Sequence, residues 1–429
     1  MMQAHATDKK SICEVCKKQN VTIYLIFGGE FFGFGGWSKY VRELTHYLIR
    51  KGFNVKVLYR FGRILIVNSG TNIIEMKKSI CDSNKAYTLY MLLHHLPNPL
   101  TVIFSMIRLL IDVKSESCTQ KILHAHDLSC SLLVAFCMHK LFRIPFIVQV
   151  HGFPLKEQRI KIEKSDSIFK KYIWFLTWYW HFIAAKLMLR CSFLVIVNND
   201  EVKSFFESLG IPPDKLKVIH SAIDLKIHEE FLLSQNDAKQ YLGLAENHEF
   251  TLGYIGGLRP EKNVNILIKS FAAFLKIQKA TRAKLIIIGD GPDRVLLKKA
   301  TTHYGIKDHV HFLGHVPDAY RLMSAFDVFV LPSLSEGSPI VLLEAMLARR
   351  AIIASDIPAI REIVENGKEA LLFNPHDDEQ LKDLIIKLYS NPKLKRELGE
   401  NARKKVEQYD ASVIFEKISQ LYCDILKNP

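Results

Sequence analysis

The sequence predicts an α/β chain of two doubly wound halves. Three observations carry this. The chain has 429 residues, more than one ordinary hydrophobic core accommodates, so two domains are expected. Short apolar runs rich in branched residues alternate with amphipathic segments of helical spacing, the pattern of parallel strands with helices on both faces of a sheet. The pattern is traversed twice, on either side of a polar stretch near residue 222, "HSAIDLKIHEE". The composition is ordinary for a globular protein, at 48% hydrophobic and 24% charged residues.

Residues 1–20 are polar and hold no apolar signal segment, so they read as a disordered leader. Their Cys13 and Cys16 form the only C-x-x-C, a single pair that by itself marks neither metal nor redox chemistry. The first domain then spans 21–222. Its strands are "VTIYLIF", "FNVKVLYR", "KILHAHD", "PFIVQVHG" and "FLVIVNN", with helices such as "WSKYVRELTHYLIRKG" and "CSLLVAFCMHKLF" between them. "LTVIFSMIRLLIDV" is broken by Arg108 and too short to cross a bilayer, which makes it a buried or half-buried helix. The second domain, 223–410, repeats the scheme with "FTLGYIGG", "KLIIIGDG", "VHFLGH", "VFVLPS", "AIIASD" and "ALLFNP". A last helix, 411–429, is expected to pack back on the first domain. Eight scattered cysteines read as reduced thiols in a cytoplasmic protein.

Charge separates the halves. Residues 1–222 carry 30 Lys and Arg against 16 Asp and Glu, whereas 223–429 carry 28 of each. The whole excess of +14 lies in the first half and points to an anionic partner there. Nucleic acid is not that partner: no zinc-finger, RNP or helix-turn-helix signature occurs, and the lysines are dispersed. "FKKYIWFLTWYWHFIAAK", residues 169–186, sets three tryptophans among other rings and flanking lysines. Such a run suits peripheral contact with an anionic membrane as well as it suits a core helix.

Ligands of open α/β sheets bind beyond the carboxyl ends of the strands, so the loops that follow strands matter most. "GGEFFGFGG", residues 28–36, holds five glycines between a strand and a helix. It serves either an anion at the helix N-terminus or a tight turn. Gly33, Gly35 and Ser38 nearly spell the G-x-G-x-x-G dinucleotide fingerprint. The next strand ends in Tyr59-Arg60 without a ribose-binding acid, while Arg60 suits a 2′-phosphate, so the NADP reading is weakened rather than excluded. "LPSLSEGSPIVLLEAMLARR" leads a strand into a helix, with Ser338 as expected N-cap and Pro339 at the first helical position. Glu336 lies just before that helix and Glu344 inside it among apolar residues. From spacing alone, Glu336 favours the helix dipole or a ligand, and Glu344 pairs with a neighbouring arginine or with ligand hydroxyls. "YIGGLRPEKNV" follows another strand and offers Arg259 and Lys262 to a diphosphate, or to solvent. In "IIIGDGPDR", Asp290 and Gly291 approach a ligand or simply turn the chain. "IVQVHGFP" puts His151 at a strand's end.

Together these stretches resemble the large retaining family of GT-B glycosyltransferases, glycosyltransferase family four, from about Val21 to the final helix. The most specific part is the series from the glycine–Arg/Lys loop through "IIIGDGP" and "VHFLGHV" to "SLSEGSPIVLLEAMLARRAIIASDIPAIREIVENGKEALLF". The resemblance implies a GT-B fold, two Rossmann-like domains facing across a cleft. It implies that Glu336 binds hydroxyls of the transferred sugar, that Glu344 binds the nucleotide ribose, and that Arg259 and Lys262 hold the diphosphate with amides around Gly337 and Ser338. Backbone at Gly314, His315 and Val316 would meet the base. His151 looks like the family's cleft histidine, and Gly35 and Gly36 like its glycine pair beside the diphosphate. The chain departs from the family where Gly257 replaces a usual arginine, and where His220-Ser221-Ala222-Ile223-Asp224 replaces Pro-Asn-Gly-Val-Asp.

The implied activity is retaining transfer of a hexose from a UDP- or GDP-sugar to a glycan or lipid-linked acceptor, as in the synthesis of surface polysaccharide, lipopolysaccharide or glycolipid. No D-x-D triplet occurs, so no metal is expected, and the nucleotide-sugar is a co-substrate rather than a cofactor. Rival readings are a nucleotide-sugar epimerase, an NADP oxidoreductase and a non-catalytic sugar- or membrane-binding scaffold.

Overall fold

A computed structural model describes residues 21–27, 36–59, 63–67, 99–115, 120–164, 167–244, 250–279 and 282–427. The chain divides into two compact units. The first takes in the chain to His220 and the segment from Ala411 onward; Ser221–Asp410 makes up the body of the second.

In the first unit the described elements are β1 (Val21–Phe27), α1 (Gly36–Arg50), β2 (Asn54–Tyr59), β3 (Arg63–Val67), α2 (Pro99–Ser115), β4 (Gln120–Ala125), α3 (Cys130–Phe142), β5 (Phe146–Val150), α4 (Pro154–Lys164), α5 (Ile168–Leu187), β6 (Leu194–Val197), α6 (Asp200–Ser208) and β7 (Leu216–Val218). The sheet runs β3-β2-β1-β4-β5-β6-β7. All its pairings are parallel except β2–β3. All seven residues of β1 are buried, as a central parallel strand covered on both faces requires. Two strands escaped the sequence reading: the antiparallel edge "RILIV" and the three-residue β7.

In the second unit the elements are α7 (Leu225–Phe231), α8 (Gln235–Tyr241), β8 (Thr251–Ile255), α9 (Val264–Gln278), β9 (Lys284–Ile288), α10 (Arg294–His303), β10 (Val310–Gly314), β11 (Val328–Leu331), α11 (Ile340–Leu347), β12 (Ala351–Ser355), α12 (Pro358–Arg361), β13 (Leu371–Phe373), α13 (Asp378–Tyr389) and α14 (Pro392–Lys405). The sheet order is β10-β9-β8-β11-β12-β13, parallel throughout. The final helix, α15 (Ala411–Lys427), belongs to the first unit. It lies against α1, where Phe415 meets the Tyr40 ring edge-on at 5.2 Å and Glu416 pairs with Lys51 at 2.6 Å.

The doubly wound order fixes where each site sits. The winding direction reverses between β1 and β4 in the first sheet and between β8 and β11 in the second, and crevices for ligands open beyond the carboxyl ends at such reversals. The segments in question are His126-Asp127 after β4, "GGLRPEK" after β8 and "PSLSEGSP" after β11; the glycine stretch 28–35 lies outside the described residues.

Among the described residues no helix is long and apolar enough to cross a membrane. The helix α2 is half-buried, with Leu109 inside and Ile107 and Ile111 exposed. Cys130, Cys137 and Cys191 are free, but Cys423 on α15 is disulfide-bonded, so the expectation of uniformly reduced thiols does not hold there.

Candidate functional site

The loop after β8 is shaped by its neighbour. Gly289 has φ +140°, and a Cβ there would lie 1.9 Å from the carbonyl oxygen of Gly256; a Cβ on Gly291 would lie 2.3 Å from that of Leu258. The bare backbones pair instead, Gly256 N–H to Ile288 at 3.0 Å and Leu258 N–H to Asp290 at 3.0 Å. The Asp290 carboxylate accepts from Arg294 and from its neighbour's amide. These glycines press one loop onto another, and Asp290 caps the turn.

The braced β8 loop presents its cations. Lys262 donates to both oxygens of Glu336, at 2.7 and 2.8 Å, and Ser333 Oγ donates to Oε1 at 2.7 Å. Leu334 N–H donates to the Glu261 carbonyl at 2.9 Å, so the loops after β8 and β11 are tied directly across the winding reversal. Lys262 and Glu336 are largely buried, at 18% and 8% side-chain exposure. Their charges are worth far more to each other there than at a surface. Two of the three Lys262 N–H groups are committed to Glu336, and the carboxylate retains acceptor capacity. The pair therefore offers one cationic donor and one anionic acceptor side by side.

Arg259 packs beside Gly257, with Nε 3.4 Å from where a Gly257 Cβ would be. Its side chain occupies the surroundings of the position that usually holds arginine in the family. It pairs with Glu261 at 3.0 Å, and Glu261 is 1% exposed with no directed hydrogen bond to either carboxylate oxygen. Tyr254, buried beneath, donates to the Gly257 carbonyl at 2.9 Å. Burial, and then the charge of Glu336, raise its pKa far above the usual tyrosine value, so it remains a donor.

One cap differs from expectation. The helix α11 begins at Ile340 with Pro339 as N-cap and no side-chain cap bond. Ser338 Oγ instead accepts from the Ser221 amide at 2.9 Å, and Pro339 falls one place before the first helical position. Inside α11, Glu344 is nearly buried, with Nε2 of His228 3.8 Å from its Oε1. His228 donates through Nδ1 to the Asp224 carbonyl at 2.7 Å and lies against Tyr320. The segment expected to meet a base ends β10: Gly314 is buried with φ +71°, His315 is exposed, and Val316 packs on the core.

In the first unit, His151 follows β5 and is 4% exposed. Its Nε2 lies 3.1 Å from Nδ1 of His126, and Tyr40 packs edge-on at 5.0 Å. Burial lowers the His151 pKa to about 4 despite the nearby Asp127, so the ring is neutral. Asp127 accepts from the amide and hydroxyl of Ser129. Gly36 opens α1; Gly35, Arg60, Cys13 and Cys16 lie outside the described residues.

The residues missed from sequence are those that orient the expected ones: Ser333, Tyr254, Glu261, His228 and His126. Ser333 stood three places before Glu336, the separation of one loop turn, but serine is too common in loops to be singled out.

A family model described as "Glycosyltransferase Family 4" matches residues 34–227, and one described as "Glycosyl transferases group 1" matches 235–405. The chain belongs to this glycosyltransferase family. N-acetyl-alpha-D-glucosaminyl L-malate synthase of Bacillus anthracis is 28% identical over 220 residues, spanning 51% of this chain and 56% of that protein. UDP-Gal:alpha-D-GlcNAc-diphosphoundecaprenol alpha-1,3-galactosyltransferase of Escherichia coli is 28% identical over 313 residues, 72% of this chain and 76% of that one. Among solved structures, sucrose-phosphate synthase of Thermosynechococcus elongatus aligns with TM-score 0.74 at 19% identity, over 95% of this glycosyltransferase and all of the other chain. Anabaena HepE in complex with UDP-glucose aligns at TM-score 0.70 and 19% identity, covering 94% and 99%. The fold is GT-B, as the resemblance implied.

Proposed function

We propose that this glycosyltransferase moves a hexose from a UDP- or GDP-sugar to a glycan or lipid-linked acceptor, with retention at the anomeric carbon and without a metal. The observation that carries the reading is the buried Lys262–Glu336–Ser333 cluster at the winding reversal of the second sheet. A carboxylate with spare acceptor capacity suits sugar hydroxyls, and a lysine with one uncommitted N–H suits a phosphate oxygen. The named substrates of the relatives support the donor and acceptor classes: UDP-galactose and a diphosphoundecaprenol in the Escherichia coli protein, UDP-glucose in HepE.

In this mechanism Glu336 accepts hydrogen bonds from the transferred sugar, and Glu344, steadied by His228, accepts them from the ribose. Lys262, Arg259 and the amides around Gly337 and Ser338 hold the diphosphate, and backbone from Gly314 to Val316 meets the base. His151 serves the sugar at its reacting carbon, and the glycine pair Gly35 and Gly36 the diphosphate. The acceptor oxygen bonds to the anomeric carbon on the face the phosphate leaves. The carbon–oxygen bond to the phosphate breaks, and the departing phosphate takes the acceptor's proton. Charge developing on the diphosphate is met by fixed cations, the role a metal plays in other transferases.

The acceptor's lipid class is supported by α5. Thr177, Ala184 and Ala185 face the core, while Ile168, Phe169, Tyr172, Phe175 and Tyr179 are exposed at i, i+4, i+7 spacing, flanked by exposed Lys171 and Lys186. Aromatic rings between lysines suit the headgroup layer of an anionic membrane, and we place the protein in the cytoplasm at that surface.

The decisive experiment is a transfer assay with Glu336→Ala. Turnover should fall about a thousandfold while nucleotide affinity holds, since the lost contact is to the sugar. Normal turnover sinks the assignment. Interconversion of nucleotide-sugars without an acceptor would favour an epimerase, and absence of even slow donor hydrolysis a scaffold.

A further inference from the structure

Three histidines line the carboxyl ends of β4 and β5, and the transfer mechanism names one of them. His124 lies within β4 and His126 just beyond it; His151 follows β5. The His124 and His126 rings lie tilted by 31° with centroids 4.0 Å apart, and His126 lies nearly parallel to His151 at 5.4 Å. Tyr422 of α15 bonds Nδ1 of His124 at 2.6 Å, and Nδ1 of His126 meets Nε2 of His151 at 3.1 Å. His124 and His126 are fully buried, and the Nε2 atom of each has no hydrogen-bond partner.

A neutral imidazole carries one hydrogen, and the bond made at one nitrogen decides where it sits. Two arrangements satisfy the contact. If His151 donates from Nε2, the hydrogen of His126 is forced onto its own Nε2, a buried N–H with nothing to receive it. If His126 donates from Nδ1, its Nε2 is a bare lone pair. Orphaned buried N–H groups are the rarer of the two in proteins, because a donor has one direction and no alternative. Burial keeps both rings uncharged, so neither escapes the choice by taking a second proton. We infer that His126 is a positioning residue: it gives its Nδ1 hydrogen to Nε2 of His151 and so fixes His151 as the tautomer with hydrogen on Nδ1. His151 then donates from Nδ1 and cannot act as a general base through Nε2.

The tautomer is independent of the activity; the effect on turnover rests on the glycosyltransferase reading of His151. The two are tested separately. A long-range proton–nitrogen spectrum of the full chain labelled with 15N-histidine, assigned by the signals lost in His151→Gln, should show His151 neutral with hydrogen on Nδ1. Hydrogen on Nε2 overturns the inference. In transfer assays, His126→Leu should lower kcat about tenfold with donor KM moved less than about twofold, the size of effect that orienting partners have on the groups they hold. His126→Asn places an amide N–H where Nδ1–H stood and should restore most of the loss. An asparagine variant as slow as the leucine variant, at unchanged Tm, also overturns the inference. The predicted tautomer in a chain that transfers no sugar from any nucleotide donor refutes the functional reading instead.

Discussion

The two sheets place their functional groups at the same topological point but build them from opposite chemistry. At the carboxyl ends of β4 and β5 stand neutral imidazoles packed in the interior, with burial holding their pKa values down. Beyond β8 and β11 stand matched charges, Lys262 to Glu336 across two loops and Arg259 to Glu261 within one. The sequence charge runs the other way, since the half with the neutral interior site carries the +14 excess. Net charge therefore belongs to surfaces and to association, while the charge at the candidate site is local and paired. The difference implies a division of labour. On the function proposed, the cations of the second unit clamp the leaving group, and the histidines of the first are oriented, uncharged donors.

The largest expected effect breaks the charged side. Lys262→Met removes the clamp and strands Glu336, so kcat/KM should fall about a hundredfold or more. Stability should fall on the order of 3 kcal/mol, the penalty of leaving one partner of a buried pair alone. The double variant Lys262→Met/Glu336→Gln removes both charges and should recover most of the lost Tm while transfer stays absent. A double variant no more stable than the single one would show that the pair is not the electrostatic unit described.

How much of this was readable beforehand depends on whether a residue's role is local. The two doubly wound sheets were legible because eleven of their strands are short apolar runs set between loops, a pattern of adjacent residues. The antiparallel β3 and the three-residue β7 were not. Glu336 and Lys262 were legible as candidates through their place after strands. Their mutual bond spans 74 positions, a distance no local spacing encodes. The same holds for His126, whose meaning came only when β4 and β5 aligned in register. Ser338 was assigned as a helix cap on local grounds, and a remote amide at Ser221 claimed its hydroxyl instead.

The neutral side has its own test. His151 and His181 are each lowered by burial to about 4 from the ordinary 6.5, and His124 and His126 shift the same way. Their unfolded forms take up protons as pH drops below 6.5 while the folded forms do not. Stability is therefore unaffected above that pH and declines between 6.5 and 4. A shift of this size costs about 2 kcal/mol per histidine by pH 5. Thermal unfolding at pH 7, 6 and 5 should show a steep fall in Tm, and His151→Asn should flatten it by about one proton's share. A Tm independent of pH in this window would mean that the imidazoles are not held neutral, and the contrast between the units would dissolve.

The smallest effect sharpens the charged side without breaking it. Ser333 is fully buried and gives its hydroxyl hydrogen to Glu336 Oε1, so it fixes the carboxylate's plane while Lys262 supplies the counter-charge. Ser333→Ala leaves both charges paired and removes only that orientation. A hydrogen bond to a charged group contributes about 1.5–3 kcal/mol, but Lys262 still satisfies the carboxylate, so the lower end applies. Transfer should slow about tenfold with the Lys262→Met phenotype absent: nucleotide affinity kept, Tm lowered by only a few degrees. Ser333→Thr keeps the hydroxyl and should lie between the two. If alanine were as damaging as the loss of Lys262, orientation rather than charge would be the principal contribution of the second unit. The two sites would then differ in residue type but not in what they do.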